Sequence, residues 1–302
     1  MALEGLHHIT AITADAQRNV DFYAGVLGLR MVKKTVNFDA PDVYHLYYGD
    51  ETGAPGSIMT FFEFPGAQRG RAGAGMVHRV LWRVPSQEAL AFWQQRLGID
   101  GTVFSDPEGL EQELVVADVP DRPLVASAEG IPAEHALQGF HGVRAYAPAP
   151  ERSAALLGAL GFQGGDGGAY ELRGDERGAV WHLDAPPAAP GVQAAGTVHH
   201  VAWSAADDAE LELVSRAALG AGARPTPVID RQYFHSVYFR EPNGVLFELA
   251  TRDIGFDADE PLETLGEALK LPPQHEPLRD RLEQALTPLV NPRAGAATPA
   301  GR

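Results

Sequence analysis

Cysteine is absent from this 302-residue chain. Disulfides, thiolate nucleophiles and zinc–thiolate sites are excluded together, so any metal must be held by His, Asp or Glu. Positive charge is scarce: 24 Lys and Arg stand against 40 Asp and Glu, a formal net charge of −16. That balance, with no basic stripe, argues against nucleic acid or an anionic membrane as the main partner. No window approaches ~18 uninterrupted apolar residues, so no transmembrane helix is expected. The opening "MALEGLHHIT" enters strand-like sequence without the charged-then-apolar order of a secretion signal, and a cytoplasmic location is the default expectation. What the chain does have is a hydrophobic content of 45%, enough for a real core in two ordinary domains or one large one.

Four segments open alike: "LHHITAIT" (6–13), "VHRVLWRV" (77–84), "FHGVRAYA" (140–147) and "VHHVAWSA" (198–205). Each is a histidine inside an alternating, β-prone run. Each is followed by a helix-like stretch that ends near glycine: 15–29, 86–99, 150–162 and 207–222. In the first stretch Val20, Tyr23, Val26 and Leu27 fall on one helical stripe with Gly28 placed to end it; in the third, Ala154, Leu157 and Leu160 do the same. Short extended runs with turn residues follow each helix. The unit therefore reads strand–helix–strand–strand–strand, four times over at intervals of roughly 60 residues. One such unit cannot bury both faces, so modules must pair into cupped sheets with helices outside. The expected class is α+β: four βαβββ modules paired into two cupped mixed sheets. The Ala/Gly/Pro-rich stretch 118–138 reads as the connection between an N-terminal pair of modules (1–128) and a C-terminal pair (138–256). Residues 257–302 read as an extension, with amphipathic helical pieces in "PLETLGEAL" and "LRDRLEQALTPL" and a frayed tail, "NPRAGAATPAGR".

This combination resembles the vicinal oxygen chelate superfamily, which includes glyoxalase I, bleomycin-resistance proteins and type I extradiol dioxygenases. The resemblance is sharpest at "DFYAGVLGLRMVKKTVNFDAPDVYHLYYGD" (21–50), "GTVHHVAW" (196–203), "EPNGVLFELAT" (241–251) and "DEPLETLGEALKLPPQHEP" (259–277). Together these segments look like the ring-cleaving dioxygenases that act on para-hydroquinones, over nearly the whole chain.

Strand alternation sorts the candidate ligands. His200 shares a face with Ala202 and Ser204, while His199 faces the other way; His8 shares a face with Thr10 and Ile12. Glu248 lies between Phe247 and Leu249, where a buried carboxylate is costly unless a cation compensates it. Two imidazoles and a carboxylate match the facial triad of non-haem Fe(II) oxygenases. The competing reading makes His8 a satisfied core histidine and Glu248 a surface charge. The resemblance implies that His8, His200 and Glu248 are the three ligands and that modules one and four build one cup. A rival triad takes His141 in place of His8, and His78, Glu113, His141 and His182 hold corresponding positions in modules two and three. Module one has Thr60 where module four has Glu248, and Glu63 points to the opposite face. The resemblance further implies roles near the site for His7, Thr10, His199, Arg231 and Tyr238, although strict alternation turns His7 and His199 away from the metal. Tyr47 and Phe62 are candidate pocket walls. The implied activity is that of a non-haem Fe(II) extradiol-type dioxygenase, with Mn(II) as the alternative ion, acting on a small hydroquinone-type aromatic with O₂. The alternatives are a glyoxalase-type metal-dependent isomerase or thiol transferase, and a non-catalytic small-molecule binder. Sheet edges leave a homo-oligomer open.

Overall fold

The computed structural model describes residues 3–293; all but the first three residues of the expected tail lie outside them. Module one comprises β1 (Leu6–Thr13), α1 (Ala16–Val20) running into a π-helical turn to Val26, β2 (Arg30–Asn37), β3 (Ala40–Gly49) and β4 (Ile58–Glu63). Module two comprises β5 (Val77–Val84), α2 (Gln87–Leu97), β6 (Val103–Ser105) and β7 (Glu111–Val116). Module three comprises β8 (Phe140–Tyr146), α3 (Ala154–Ala159), β9 (Gln163–Gly164), β10 (Ala169–Arg173) and β11 (Gly178–Asp184). Module four comprises β12 (Val198–Ala205), α4 (Asp208–Gly220), β13 (Ile229–Asp230), β14 (His235–Arg240) and β15 (Leu246–Thr251). Module two falls one strand short of the repeat, because residues 98–116 hold only the β6–β7 hairpin.

The helices begin where the side chains allow it. Asp15, Ser86 and Asp207 each accept a hydrogen bond from a backbone N–H of the first turn, which satisfies donors that the helix leaves orphaned. Gly28 ends the first helical segment at φ +70, and a Cβ there would meet Ile131 Cδ1 at 2.4 Å. Only glycine fits that turn on both counts. Of the expected stripes, Val20, Tyr23 and Leu27 are buried with Val26 half-buried, and in α3 Leu156 joins Leu157 and Leu160 in the core while Ala154 faces solvent.

Strand pairing crosses the halves of the chain. Modules four and one form an eight-stranded sheet in the order β13-β14-β15-β12-β1-β4-β3-β2, and modules two and three form a seven-stranded one, β6-β7-β5-β8-β11-β10-β9. Neither sheet follows the division into 1–128 and 138–256. The two sheets share one core, with Trp181 of the second sheet edge-on to Phe247 of the first at 5.0 Å between ring centroids. The connection 118–138 is irregular, as a linker should be, yet it is packed: Asp121 is buried between Arg83 and Arg173, and Leu124 and Ile131 are buried as well.

The extension departs from expectation in one piece. "PLETLGEAL" forms a single 3₁₀ turn over Leu262–Thr264 rather than an α-helix, and Leu269 bridges to Lys34 on the edge strand β2. Backbone pairing to a sheet edge outcompetes helix propensity here. The second piece is α5 (Arg279–Ala285), with Leu282 and Leu286 buried and Leu278 packed against the core. No helix among the described residues is long and apolar enough to cross a membrane.

Candidate metal centre

The antiparallel pairing of β1 with β12 puts the centre together, and two bulges decide its composition. Leu6 lies opposite Trp203 but His8 opposite Ala202; Thr10 lies opposite His200 but Ala11 opposite Val198. His7 on one strand and His199 on the other are therefore the unpaired residues. A bulge breaks the period of two and swings the extra side chain out of strict alternation. Both neighbours of the doubled pairs thus come to the same site as the residues that follow them, contrary to the alternation rule.

His8, His200 and Glu248 converge. His8 Nε2 is 3.3 Å from His200 Nε2 and 3.2 Å from Glu248 Oε2, and His200 Nε2 is 2.9 Å from the same oxygen. On one face of an octahedron with bonds of roughly 2.1 Å, ligand atoms sit about 3.0 Å apart. The triangle has that size. All three residues are buried, Glu248 completely, and its Oε2 has no directed hydrogen bond. Burial alone would raise the Glu248 carboxyl, but the adjoining His8 and His200 hold it well below the usual range, so the site carries a fixed anion. Among the described residues these three form the one group of His, Asp or Glu placed to hold a metal.

Hydrogen bonds aim each ligand atom. His7 Nε2 donates to the Thr251 carbonyl at 3.0 Å, which leaves His7 Nδ1 as an acceptor 2.9 Å from His8 Nδ1. As a metal ligand His8 would then keep its proton on Nδ1 and present a bare Nε2. His199 Nδ1 likewise stands 2.8 Å from His200 Nδ1, one ring donating to the other. Burial pushes His7 down to about 3 and His199 down to about 4, so both remain neutral. On the carboxylate, Tyr238 Oη donates to Glu248 Oε1 at 2.9 Å and receives Arg231 Nε at 3.2 Å. One oxygen is tied down and the other is free for a cation. Burial raises the Tyr238 phenol above its ordinary value, which keeps it a donor rather than a base. Replacing His7 with Phe keeps the volume but removes the acceptor. Metal affinity should fall roughly 10- to 100-fold, the usual cost of losing such a partner. Chelator competition measures this, and unchanged affinity would show that His7 does not set the tautomer.

On the fourth side Thr60 is aligned with Thr10 in the β1–β4 register, as Glu248 is with Ala202 in the β12–β15 register. It offers no carboxylate. Thr60 Oγ1 is bonded to Thr10 Oγ1 at 3.0 Å and to His45 Nε2 at 2.7 Å, and His45 Nδ1 meets Tyr47 Oη at 2.9 Å. His45 shares a face of β3 with Tyr47, so the alternation that placed Tyr47 in the wall also signals His45. Thr10, His45 and Tyr47, with Phe62, Arg231 and Phe234, line a cavity of about 360 Å³. Phe234 and the hairpin tip Asn37–Asp39 carry no sequence signal of a site, because turns bring them there. Glu63 instead accepts from the Ala16 N–H at the start of α1. A larger groove of about 520 Å³ lies between β2 and the extension, lined by Arg30, Glu51 and Arg293 among others, but among the described residues no metal-ligand group converges on it.

The second sheet repeats the bulges with His78 and His141 as the extra residues, so they match His7 and His199 rather than the ligands. Arg79 and Gly142 take the positions of His8 and His200. The Arg79 guanidinium pairs with Glu113 at 2.8 Å and with Glu111 at 2.9 Å, an internal cation in place of a bound one. A Cβ on Gly142 would meet the Val180 carbonyl oxygen at 2.0 Å, which bars any side chain there. His141 lies in this second sheet and His200 and Glu248 in the first, so the rival triad is not brought together.

Comparison with known proteins places these features. The family model for the Glyoxalase/Bleomycin resistance protein/Dioxygenase superfamily matches residues 5–111 and 75–249. The chain is 43% identical to the "Putative ring-cleaving dioxygenase MhqO" of Bacillus subtilis, over 94% of this chain and 96% of that protein. It is 35% identical to the chlorohydroquinone/hydroquinone 1,2-dioxygenase of Sphingobium indicum, over 95% of this chain and 98% of that one. A crystal structure of a "putative dioxygenase" from Bacillus subtilis superposes with a TM-score of 0.89 at 41% identity, covering 96% of this chain and 98% of the other.

Proposed function

The chain belongs to the glyoxalase/bleomycin resistance protein/dioxygenase superfamily, and on that footing we propose that it is an Fe(II)-dependent dioxygenase that opens the ring of hydroquinone-type substrates. The observation that carries the reading is the open triad: two imidazoles and one buried carboxylate on one side, and at the fourth corner a threonine already engaged by Thr10 and His45. Iron bound by His8, His200 and Glu248 would supply Lewis acidity and coupling to O₂. The glyoxalase-type reading calls for a fourth protein ligand, and Thr60 does not provide one.

The chain's own residues supply the remainder. Phe62, Phe234 and Tyr47 form an apolar slot that takes an aromatic ring and excludes water. Arg231 is raised above its ordinary value, its burial outweighed by the neighbouring Tyr238, and its permanent charge stabilises a phenolate. Thr10, Thr60, His45 and Tyr47 form an unbroken hydrogen-bond chain along the opposite wall, and a substrate hydroxyl proton can pass to it through Thr10 Oγ1. The bond cut is then the one between the hydroxyl-bearing carbon and its ring neighbour, so both oxygen atoms of O₂ enter the product.

Oxygen uptake by anaerobically prepared, Fe(II)-loaded protein tests the reading with hydroquinone, methylhydroquinone, a chlorohydroquinone and catechol, followed by product mass. Uptake with the hydroquinones and a ring-opened product is expected. Uptake with catechol alone would place the enzyme among ordinary catechol extradiol dioxygenases, and turnover of a hemithioacetal without uptake would make it an isomerase.

A further inference from the structure

The "DEPLETLGEALKLPPQHEP" segment has no part in the metal site, yet it grips the turn that carries Arg231. That turn, residues 231–234, joins β13 to β14 and presents both Arg231 and Phe234 to the site; Phe234 lies 5.1 Å from the His7 and His8 rings. Its second residue, Gln232, has φ +68 and is the one non-glycine residue with positive φ among those described. Such a conformation is disfavoured for a residue with a Cβ and persists only when surrounding contacts over-determine it.

Those contacts converge on one carboxylate of the extension. Asp259 Oδ2 accepts Gln232 Nε2 at 2.7 Å and Tyr233 Oη at 3.0 Å, and Asp259 Oδ1 accepts Lys33 Nζ at 2.7 Å. Lys33 is fully buried on β2, bonded also to Glu260 at 2.9 Å, and its ammonium sits 4.9 Å from the centre of the Tyr233 ring. A buried ammonium is retained only where its partners are fixed. The contacts are continuous from there to the metal site: Lys33 to Asp259, to the turn, to Arg231, to Tyr238, to Glu248 Oε1.

We propose that Asp259 is a positioning residue: the C-terminal extension clamps the 231–234 turn through it and so holds Arg231 at the metal-site pocket. Arg231 would touch the substrate; Asp259 acts only through the turn. The inference rests on the dioxygenase reading for its catalytic consequence, but not for the clamp itself.

Two measurements on the full-length chain separate them. In the first, Asp259→Ala and Tyr233→Phe proteins are digested with trypsin and cleavage after Arg231 is followed by mass spectrometry. Cleavage there should accelerate roughly 10-fold or more in Asp259→Ala and less in Tyr233→Phe. Arg281→Ala, which removes only an exposed pair with Asp42 elsewhere in the extension, should leave the rate unchanged. In the second, kcat/KM from oxygen uptake is compared among Asp259→Ala, Arg231→Ala and the double variant, with iron content determined for each. Asp259→Ala should lose roughly 10- to 100-fold, the scale of a displaced positioning group, and lose nothing further in the Arg231→Ala background. Additive losses, or an unchanged cleavage rate, would overturn the proposal. If Asp259→Ala does not fold, Tyr233→Phe carries the same two readouts. Accelerated cleavage in a protein that consumes no O₂ with any hydroquinone would remove the dioxygenase reading and support the clamp.

Discussion

Replacing His8 with Ala abolishes iron retention while His141→Ala leaves one iron per chain: that contrast is the expected result of the way the sheets pair. His8 Nε2 is one corner of a triangle closed by His200 and Glu248, and no other His, Asp or Glu among the described residues completes such a group. His7, the adjacent imidazole, is held to the Thr251 carbonyl. His141 stands at a bulge position of the other sheet, where Gly142 and the Arg79–Glu113 pair occupy the places of ligands. Metal analysis after anaerobic reconstitution reads the outcome directly. Iron lost from His141→Ala but kept by His8→Ala would move the centre to the pairing of modules three and four.

The second large effect is expected from Glu248→Gln. The amide is nearly isosteric and can still accept the Tyr238 proton, but its NH₂ group points at the bare Nε2 atoms of His8 and His200. It donates where the cation should sit and brings no charge. Iron affinity should fall at least ~10-fold and the activity of the loaded enzyme with it. Chelator competition and iron content after anaerobic reconstitution read the outcome. Wild-type activity and metal affinity in Glu248→Gln would show that the carboxylate is not a ligand.

The repeat, its helices and its glycine stops are legible in the sequence because they are local: caps at Asp15, Ser86 and Asp207 and a left-handed stop at Gly28 depend on neighbours within a turn. The triplet placed to hold a metal is legible for a related reason. A carboxylate flanked by Phe247 and Leu249 and a histidine doubled at two module starts are costly in a core without a cation, and side-chain chemistry travels with the residue. His45 was within reach of the same alternation rule that placed Tyr47.

By itself the sequence determined what any site could be made of: no cysteine, hence nitrogen and oxygen ligands, and an acidic balance that argues against polyanions as the main partner. Tertiary structure alone decided three further matters. It joined module one to module four across most of the chain, a pairing that the resemblance implied but that no local pattern shows, since strand pairing obeys edge complementarity and shared burial rather than order along the backbone. It turned His7 and His199 towards His8 and His200 through bulges, because a one-residue register shift cannot be read from a period-two pattern. It also made a β-edge bridge at Leu269 from a segment whose periodicity reads as helix, and just ahead of that segment it paired Asp259 with the buried Lys33. Propensity within a few residues is worth tenths of a kcal/mol, and long-range hydrogen bonds and charge pairing outweigh it.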